Sequence, residues 1–281
     1  MKAMLLAAGF GSRLRPYTDQ LAKPAIPFLN LPLLAYPLFQ LEKLNVSEVI
    51  INTHHRPETV HKAVDRIYPK LKMKINFSHE SPNILDSAGG LKKVNDFFKN
   101  EEHFIVANAD ALTLFNHSKG LKPFVDSHIN SQALATLHTC EHPGVGTKFG
   151  GVWVDEQFQV IDIGKSKPKN YFKGLHYTGY LMLSHKVFDY IPAKESSHIF
   201  LDVLLPASLK GEKVMAYSEN LEWFETGDIE SYKDAAKILY NRYQKKSPED
   251  SYLKTLTDTF EYYKVSPITN SPNKFQEFYK S

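Results

Sequence analysis

Short apolar runs alternate with amphipathic stretches through the first half of the chain. The runs are too short for helices and rich in aliphatic residues, so they predict buried strands. They are Ala3–Ala7, Val49–Ile51, Met73–Phe77 and Phe104–Ala107. Apolar residues at helical spacing predict helices that begin at Pro32, cover Pro57–Ile67 and follow Gly89-Gly90. Strands alternating with helices predict an α/β fold, Rossmann-like, whose mixed, mainly parallel sheet is flanked by helices.

The pattern changes after about residue 140, where several glycines interrupt it. Short apolar runs at Gly151–Val154, Gln159–Ile163 and Tyr177–Leu183 predict strands of a small, partly antiparallel lid. Helical spacing returns at Ile199–Leu209 and Ile229–Tyr243. We therefore expect one domain over residues 1–243, with halves at 1–140 and 141–228, and a C-terminal helix with an irregular tail over 244–281. That tail either packs on the body or mediates dimer contacts.

The first apolar strand ends in a glycine-rich, cationic loop. Gly9 and Gly11 let backbone N–H groups approach an anion, and Arg13 and Lys23 supply positive charge, which is the chemistry of a polyphosphate site. Leu14 stands where a dinucleotide-binding fingerprint needs its third glycine, and no Walker A sequence occurs near this loop. Those two phosphate-binding motifs are excluded.

The order of residues in this loop resembles that of a known family. Leu6 to Thr18 fit the pattern L-x-A-G-x-G-x-R-L-x-P-x-T, and Lys23-Pro24 follow. This string resembles the signature of sugar-1-phosphate nucleotidylyltransferases, and most of all the short forms that act on N-acetylmuramate 1-phosphate with UTP or on mannose 1-phosphate with GTP. The resemblance covers roughly residues 1–240. It implies a GT-A-like nucleotidyltransferase fold with a sugar-binding lid, and transfer of a nucleoside monophosphate to a sugar 1-phosphate.

The resemblance implies two nucleotide-binding stretches. The first comprises Leu6, Ala7, Ala8, Gly9, Gly11, Ser12, Arg13 and Lys23. The second lies in Glu80–Gly90, where family members contact the nucleobase through backbone groups, and comprises Leu85, Asp86, Ala88 and Gly89. The alternative for this second stretch is a plain glycine-rich turn.

Two carboxylates are candidate magnesium ligands. Asp110 follows the strand that ends at Ala107, and ligands of open α/β sheets bind beyond the carboxyl ends of strands. Mg²⁺ prefers such oxygen donors together with substrate phosphates. Glu225 lies in a stretch that resembles the family's second acidic motif, although the family usually has Asp there. Asp228 occupies the usual Thr position and is predicted to cap the helix that follows. The alternatives are a turn residue for Asp110 and a surface carboxylate for Glu225.

The acceptor's binding residues are also carried by the resemblance. Lys167-Pro168 matches a Lys-Pro that contacts the sugar phosphate in relatives, and Lys165 is a second candidate. Asn108, Gly150, Thr178 and Gly179 complete the predicted sugar-phosphate set. Since the acceptor phosphate is already an anionic nucleophile, the reaction needs positioning and charge rather than a general base. The predicted catalytic residues are therefore Arg13, Lys23 and Asp110, with Mg²⁺ as the cofactor.

Composition narrows the partners. A formal net charge of +3 over 281 residues is too small to indicate a nucleic-acid-binding protein. No apolar run approaches the roughly 18 residues that a transmembrane helix needs. Cys140 is the single cysteine, so it forms no intrachain disulfide, and its apolar surroundings favour a structural role over a nucleophilic one. His54 and His55 are adjacent and face opposite sides of a strand, so they do not share a metal. We expect a cytoplasmic protein, for which a homodimer is possible, and whose partners are a nucleoside triphosphate and a sugar 1-phosphate.

Two other functions stay open from the sequence. A phosphocholine cytidylyltransferase resembles this loop and needs an aromatic cage, for which Tyr171, Phe172 and Tyr177 are candidates. A non-catalytic subunit that senses nucleotide sugars is suggested by Glu225. Between nucleotides, the Leu85–Gly90 string favours UTP, with GTP next.

Overall fold

The computed structural model describes residues 1–268 and 277–279, and it confirms an α/β fold with a mixed sheet flanked by helices. Within the described residues, the strands are β1 (Lys2–Leu6), β2 (Pro27–Phe28), β3 (Leu31–Pro32), β4 (Glu48–Thr53), β5 (Lys74–His79), β6 (His103–Asn108), β7 (Thr113–Phe115), β8 (Ala135–Cys140), β9 (Gly151–Val154), β10 (Val160–Gly164), β11 (Lys173–Ser184), β12 (Val214–Ser218) and β13 (Leu221–Trp223). The α-helices of the same residues are α1 (Ala35–Lys43), α2 (Pro57–Ile67), α3 (Asp86–Lys93), α4 (Asn95–Phe98), α5 (Lys122–Ser131), α6 (Leu205–Leu209), α7 (Ile229–Lys245) and α8 (Leu253–Tyr263).

The chain divides into two compact units. The first unit contains residues 1–4, 80–107 and 121–220, and the second contains residues 5–79, 108–120 and 221–281. The boundaries that the sequence suggested at residues 140, 228 and 243 stay predictions.

The first unit is built around β11. This strand pairs antiparallel with β6, β8 and β9, and β12 adds to β8 in parallel. The predicted strands β9, β10 and β11 are present and pair antiparallel, as the sequence predicted for this part of the fold. Because β11 is 12 residues long, one end pairs with β9 and the other inserts between β6 and β8, so all three strands belong to the sheet itself.

The second unit carries the glycine-rich loop. Here β4 and β5 pair in parallel, and two short antiparallel pairs, β2–β3 and β7–β13, lie outside the main sheet. Helix α8 belongs to this unit and is fixed by Thr255, whose hydroxyl donates to the Phe115 carbonyl (3.0 Å), while Leu256 and Phe260 are buried. The expected C-terminal helix therefore packs on the body. Part of the predicted irregular tail, residues 269–276 and 280–281, lies outside the described residues.

Three helix boundaries differ from the predictions. Pro32 pairs with Pro27 in the β2–β3 hairpin, so α1 begins only at Ala35. The helix expected after Gly89-Gly90 begins earlier, at Asp86. The segment 199–209 is helical but splits into a π-helix at Ile199–Leu204 and the α-helix α6, whose first turn contains Pro206. Among the described residues, no helix is both long and apolar enough to cross a bilayer.

Candidate active site

The second unit contains a cavity of about 290 Å³ at the end of β1. Its lining residues are Leu6, Ala7, Gly9, Gly11, Ser12, Arg13, Lys23, Pro24, Ala109, Asp110 and Gly227. The structure thus brings together most of the predicted first nucleotide-binding stretch and all three predicted catalytic residues. Ala8, the remaining member of that stretch, is buried, and its neighbours in sequence, Ala7 and Gly9, line the cavity.

Backbone hydrogen bonds join the loops that form this cavity. The Ala109 N–H donates to the Leu6 carbonyl (3.0 Å), which places the segment carrying Asp110 against the end of β1. The Ala7 N–H donates to the side-chain oxygen of Asn52 (2.7 Å), a residue of β4 that is only 3% exposed. The Ala111 N–H donates to the carbonyl of Asn108 (3.2 Å), which closes the turn around Asp110.

Gly11 sets the shape of the loop. It adopts a left-handed conformation (φ 61°) just before a 3₁₀ turn at Ser12–Leu14 that contains Arg13. A Cβ atom at Gly11 would lie 2.9 Å from the Thr18 methyl and 3.1 Å from Lys23 Cβ. The Thr18 hydroxyl donates to the Gly11 carbonyl (3.1 Å). Glycine is required here by the protein's own geometry.

Gly9 differs from Gly11. It is exposed and lines the cavity, and within the described part of the chain nothing lies within 4 Å of the position that its Cβ atom would take. The absence of a side chain therefore leaves open space in front of the backbone. A ligand can approach the main chain closely at this point.

Lys23 begins another 3₁₀ turn, Lys23–Ala25. The preceding residue, Ala22, donates its N–H to the Thr59 hydroxyl of α2 (2.9 Å). The Lys23 ammonium forms an ion pair with Asp110, and the two side chains are 16% and 30% exposed. Each of these groups is thus held at the cavity by a partner of opposite charge, while part of its surface remains accessible.

The second acidic motif lies in the same unit. The β7–β13 pair sets Trp223 opposite Thr113, and the Phe224 N–H donates to the Leu112 carbonyl (3.0 Å). This pairing brings the chain from β13 back to the turn that follows Asp110.

Glu225 and Arg13 meet at Gly227. The Glu225 carboxylate accepts a hydrogen bond from the Gly227 N–H. A Cβ atom at Gly227 would collide with that carboxylate and would lie 2.6 Å from the Arg13 guanidinium. Asp228 accepts from the Ser231 N–H (2.9 Å) and begins α7, which confirms it as the helix N-cap. A glycine at 227 thus leaves room for both the Arg13 guanidinium and the Glu225 carboxylate beside this lining residue.

The predicted nucleobase stretch lies in the first unit, at the start of α3. Asp86 has a positive φ of 62° and is exposed, whereas Ala88 and Gly89 are buried. The N–H groups of Ala88 and Gly89 donate to the Ser197 carbonyl (2.8 and 3.2 Å), and the Ser197 N–H donates to the Leu85 carbonyl (3.1 Å). These three backbone groups are therefore engaged within the protein.

The predicted sugar-phosphate residues of the first unit lie in different settings. Lys165, Lys167 and Gly150 are exposed. Thr178 is fully buried, and its hydroxyl interacts with His138 Nδ1 (2.6 Å). Gly179, with φ 102°, lies at an irregularity of β11 where pairing with β8 shifts between Tyr177 and Leu181. The lysines and Gly150 are accessible to a ligand, whereas Thr178 is part of the core.

Cys140 lies at the end of β8 and is 2% exposed. Burial raises the pKa of its thiol to about 12. A thiol that stays protonated and inaccessible is not a nucleophile at neutral pH, which agrees with the predicted structural role.

A comparison with known protein families decides the assignment. The family model described as nucleotidyl transferase matches residues 2–242. The chain belongs to this family. The resemblance to sugar-1-phosphate nucleotidylyltransferases that the Gly9 loop suggested is confirmed, and so is the prediction of an enzyme.

Known proteins agree with this assignment. The nucleotidyl transferase is 27% identical over 250 residues to a mannose-1-phosphate guanylyltransferase catalytic subunit beta of Dictyostelium discoideum, covering 89% of this chain and 67% of the relative. It is 29% identical to a UTP–glucose-1-phosphate uridylyltransferase of Synechocystis, covering 86% of this chain and 64% of that relative. It therefore spans about two thirds of the length of these relatives. A crystal structure of a putative glucose-1-phosphate thymidylyltransferase from Bacillus anthracis shares the fold, with a TM-score of 0.70 at 22% identity over 85% of this chain and 94% of that one.

The described residues supply two carboxylates at or next to this cavity, and any metal ion bound there would take its other ligands from a substrate or water. Within residues 1–268 and 277–279, no cluster of three or more histidine, cysteine, aspartate or glutamate side chains is arranged to hold a metal. Asp110 lines the cavity, and Glu225 bonds to a lining residue, so two carboxylates are available. One or two carboxylates plus phosphate oxygens and water is the usual environment of Mg²⁺.

Sequence reasoning missed Asn52 and Gly227. The Asn52 side chain accepts a hydrogen bond from the Ala7 N–H. The sequence signal for it was a polar amide side chain within the apolar run of β4. Gly227 leaves room for Arg13 and Glu225. Only the fold reveals this role, because more than two hundred residues separate Arg13 from Glu225 and Gly227.

Proposed function

We propose that this protein transfers a nucleoside monophosphate from a nucleoside triphosphate, UTP before GTP, to a sugar 1-phosphate, giving a nucleotide sugar and pyrophosphate. The observation that carries the proposal is a cavity that combines an open glycine loop with Arg13, Lys23 and Asp110. The relatives described as mannose-1-phosphate guanylyltransferase and UTP–glucose-1-phosphate uridylyltransferase support a sugar 1-phosphate as the acceptor.

The reaction is a direct displacement at phosphorus. An oxygen of the acceptor phosphate attacks the α-phosphorus and forms a new P–O bond, while the bond to the bridging oxygen of the β-phosphate breaks and pyrophosphate leaves. Arg13 and Lys23 hold the β- and γ-phosphates and neutralise the charge that develops on the leaving group. Gly9 and Gly11 allow the main chain to approach the triphosphate, and Leu6, Ala7 and Ser12 complete this wall, whereas Ala8 is buried.

The acidic residues have a different task. Asp110 and Glu225 would hold Mg²⁺, which supplies positive charge to the phosphates when it is bound. Asp110 is paired with Lys23, and the Lys23 ammonium would also contact phosphate oxygens of the bound triphosphate.

The remaining predicted residues complete the proposal. Lys167, with Lys165 as the alternative, binds the acceptor phosphate, and Asn108, Gly150 and Gly179 contact the sugar. The burial of Thr178 limits that residue to supporting β11 from within. Leu85, Asp86, Ala88 and Gly89 face the nucleobase. Since two of their N–H groups donate to Ser197, base selection depends on groups that these bonds leave available.

A matrix of substrates tests the proposal. The purified chain is mixed with Mg²⁺, each of the four ribonucleoside triphosphates and dTTP in turn, and a panel of sugar 1-phosphates with phosphocholine added. Pyrophosphate release that requires a sugar 1-phosphate supports the proposal, and the same matrix without Mg²⁺ tests the cofactor. Release only with CTP and phosphocholine would instead assign a cytidylyltransferase. Release with no pair would favour a non-catalytic nucleotide-sugar-binding subunit.

The structure gives the choline alternative no particular support. Of the rings that were candidates for a cage, Tyr171 packs against Trp153, Phe172 against Phe158, and Tyr177 against Phe200. Each ring thus contacts a different aromatic partner. A cage needs several rings around one cation.

A further inference from the structure

The segment that follows Lys23, residues 25–35, forms hydrogen bonds with residues of α7, of α8 and of the chain beyond α8. Tyr232 of α7 donates its hydroxyl proton to the Pro27 carbonyl. Tyr263 of α8 donates to the Ala35 carbonyl (2.9 Å), and the Ser266 carbonyl accepts from the Asn30 side chain (2.9 Å). All of these residues belong to the second unit.

The last of these contacts reaches the turn that contains Lys23. Tyr279 lies in a 3₁₀ turn at Glu277–Tyr279, and its hydroxyl donates to the Ala25 carbonyl. Ala25 and Lys23 belong to the same three-residue 3₁₀ turn, which is closed by the bond from the Ile26 N–H to the Lys23 carbonyl (3.0 Å). A turn of three residues has few internal bonds, so an external bond to its last carbonyl restricts how Lys23 is presented.

Helix α2 supports both sides of this arrangement. Its Thr59 accepts the N–H of Ala22, immediately before Lys23. Its Arg66 guanidinium lies 4.0 Å from the ring centroid of Phe278, which is 9% exposed. Burial raises the pKa of Tyr279 well above its ordinary value, so its hydroxyl keeps the proton that it donates.

We propose that Tyr279 is a positioning residue for Lys23, and that Phe278 and Tyr279 form a C-terminal latch on the phosphate-binding turn. The latch holds the Lys23 backbone so that its ammonium stays at the cavity beside Asp110. This inference rests on the proposed function only in assigning the β- and γ-phosphates as the ligand of Lys23.

The chain offers a matched control. Tyr262 also donates its hydroxyl proton to a backbone carbonyl, that of Lys70 (2.5 Å), at a different 3₁₀ turn, Tyr68–Lys70. Tyr279→Phe and Tyr262→Phe thus both remove a hydroxyl that bonds to a backbone carbonyl of a 3₁₀ turn, and Tyr262→Phe also removes a hydrogen bond with Glu42. Arg66→Met loosens the latch by a second route, because it removes the cation over Phe278 while it keeps a side chain of similar length.

Two measurements on the full chain separate the latch from the proposed function. The first is the rate of amine labelling of Lys23 in the ligand-free protein, followed by mass spectrometry. The second is equilibrium binding of UTP and GTP, each compared with its monophosphate in the presence of Mg²⁺. Only the second depends on the assigned ligand of Lys23.

We expect Tyr279→Phe to raise the labelling rate of Lys23 and to weaken triphosphate binding about threefold to tenfold, as is usual for the loss of one hydrogen bond. Monophosphate binding should stay within about twofold, since the monophosphate lacks the groups that Lys23 contacts. Arg66→Met should change both measurements in the same direction, and Tyr262→Phe should change neither. In the double variant Lys23→Met/Tyr279→Phe, the second substitution should add no further loss of triphosphate binding.

Other outcomes overturn the inference. Unchanged labelling of Lys23 in Tyr279→Phe, or an equal change in Tyr262→Phe, shows that the latch does not position the lysine. Faster labelling with equal losses of triphosphate and monophosphate binding shows a general loosening and also contradicts the proposal. If the wild-type chain binds no triphosphate, the proposed function fails, and the labelling rates alone decide whether the latch exists.

Discussion

The glycine loop at the end of β1 and the glycine turn at the start of α3 are alike in sequence but opposite in structure. At Gly9 the described residues leave open space within 4 Å of the position that a Cβ atom would take, and the site borders a cavity. At Gly89 a Cβ atom would lie 2.6 Å from the Glu195 carbonyl oxygen and 3.1 Å from Leu85 Cβ. One glycine leaves room for something outside the chain, and the other leaves room for the chain itself.

The difference shows how to interpret glycines in a nucleotide-binding protein. Gly89 is needed because another backbone segment passes close to it, and the N–H groups there are already bonded to Ser197. Gly9 has no such packing reason in the described part of the protein, so its value lies in access to the main chain. Substitutions in each region test whether the first serves ligands and the second serves folding.

The largest expected effect is that of removing the cation beside the open loop. We expect Arg13→Ala to cost about 2–4 kcal/mol of transition-state stabilisation, because a preorganised charge donor to the phosphates is lost. The measurement is kcat/KM for pyrophosphate release, with unfolding by denaturant as a check of stability.

Arg15 provides the control for that experiment. It is two residues away, its side chain is 69% exposed, and it pairs with Asp19 at 3.4 Å rather than lining the cavity. Arg15→Ala should therefore leave kcat/KM nearly unchanged. A rate for Arg13→Ala within about threefold of the wild type would remove Arg13 from the proposed mechanism.

The second effect concerns Glu225, whose carboxylate lies with the Arg13 guanidinium beside Gly227. Glu225→Gln keeps the oxygen that accepts from the Gly227 N–H but removes the charge. We expect kcat/KM to fall about tenfold to a hundredfold and the Mg²⁺ concentration needed for half-maximal rate to rise. Glu222→Gln is the control, because Glu222 lies on β13, before Glu225 in the chain, and pairs with Arg242 instead. An unchanged Mg²⁺ dependence in Glu225→Gln would show that this carboxylate is not a metal ligand.

The residues that form the cavity were predicted better from the sequence than the strand pairing of the first unit was. The Gly9 loop and Asp110 follow strand ends, and strand ends of an α/β sheet meet at one edge, so local signals were enough to group them. Lys23 was added to this group by the order of residues in the family motif. The strands β9 to β11 were also predicted, but their place in the sheet depends on long-range pairing. A run of apolar residues does not say which neighbour a strand will choose.

The missed features have the same cause. Pro32 has the sequence signal of a helix start, yet its pairing with Pro27 keeps it extended. Asn52 and Gly227 act through residues far away in sequence, Ala7 for the first and Arg13 for the second. Properties that arise from local preference were predictable, whereas those that arise from tertiary contact were not.

The two glycines themselves give the third prediction. Gly89→Ala should lower the free energy of unfolding by about 1–2 kcal/mol, because the collision with the Glu195 carbonyl outweighs the roughly 1 kcal/mol that alanine gains in a helix. Gly9→Ala should leave stability within about 0.5 kcal/mol and instead weaken triphosphate binding. Denaturant unfolding and nucleotide titration of both variants check this. If Gly9→Ala destabilises the fold as much as Gly89→Ala, the contrast between the regions disappears.

The smallest effect is expected at Cys140, a reactive residue type placed in the packed first unit. With a pKa of about 12, its thiolate fraction at pH 8 is about 10⁻⁴, and the side chain is 2% exposed. N-ethylmaleimide should therefore modify the native protein very slowly, and Cys140→Ala should keep kcat/KM within about twofold. Mass spectrometry of the native and denatured protein follows the modification. Rapid labelling of the native protein, accompanied by loss of activity, would show that the thiol takes part in the reaction. The first unit, which contains Gly89 and Cys140, would then contribute to the chemistry as well as to folding.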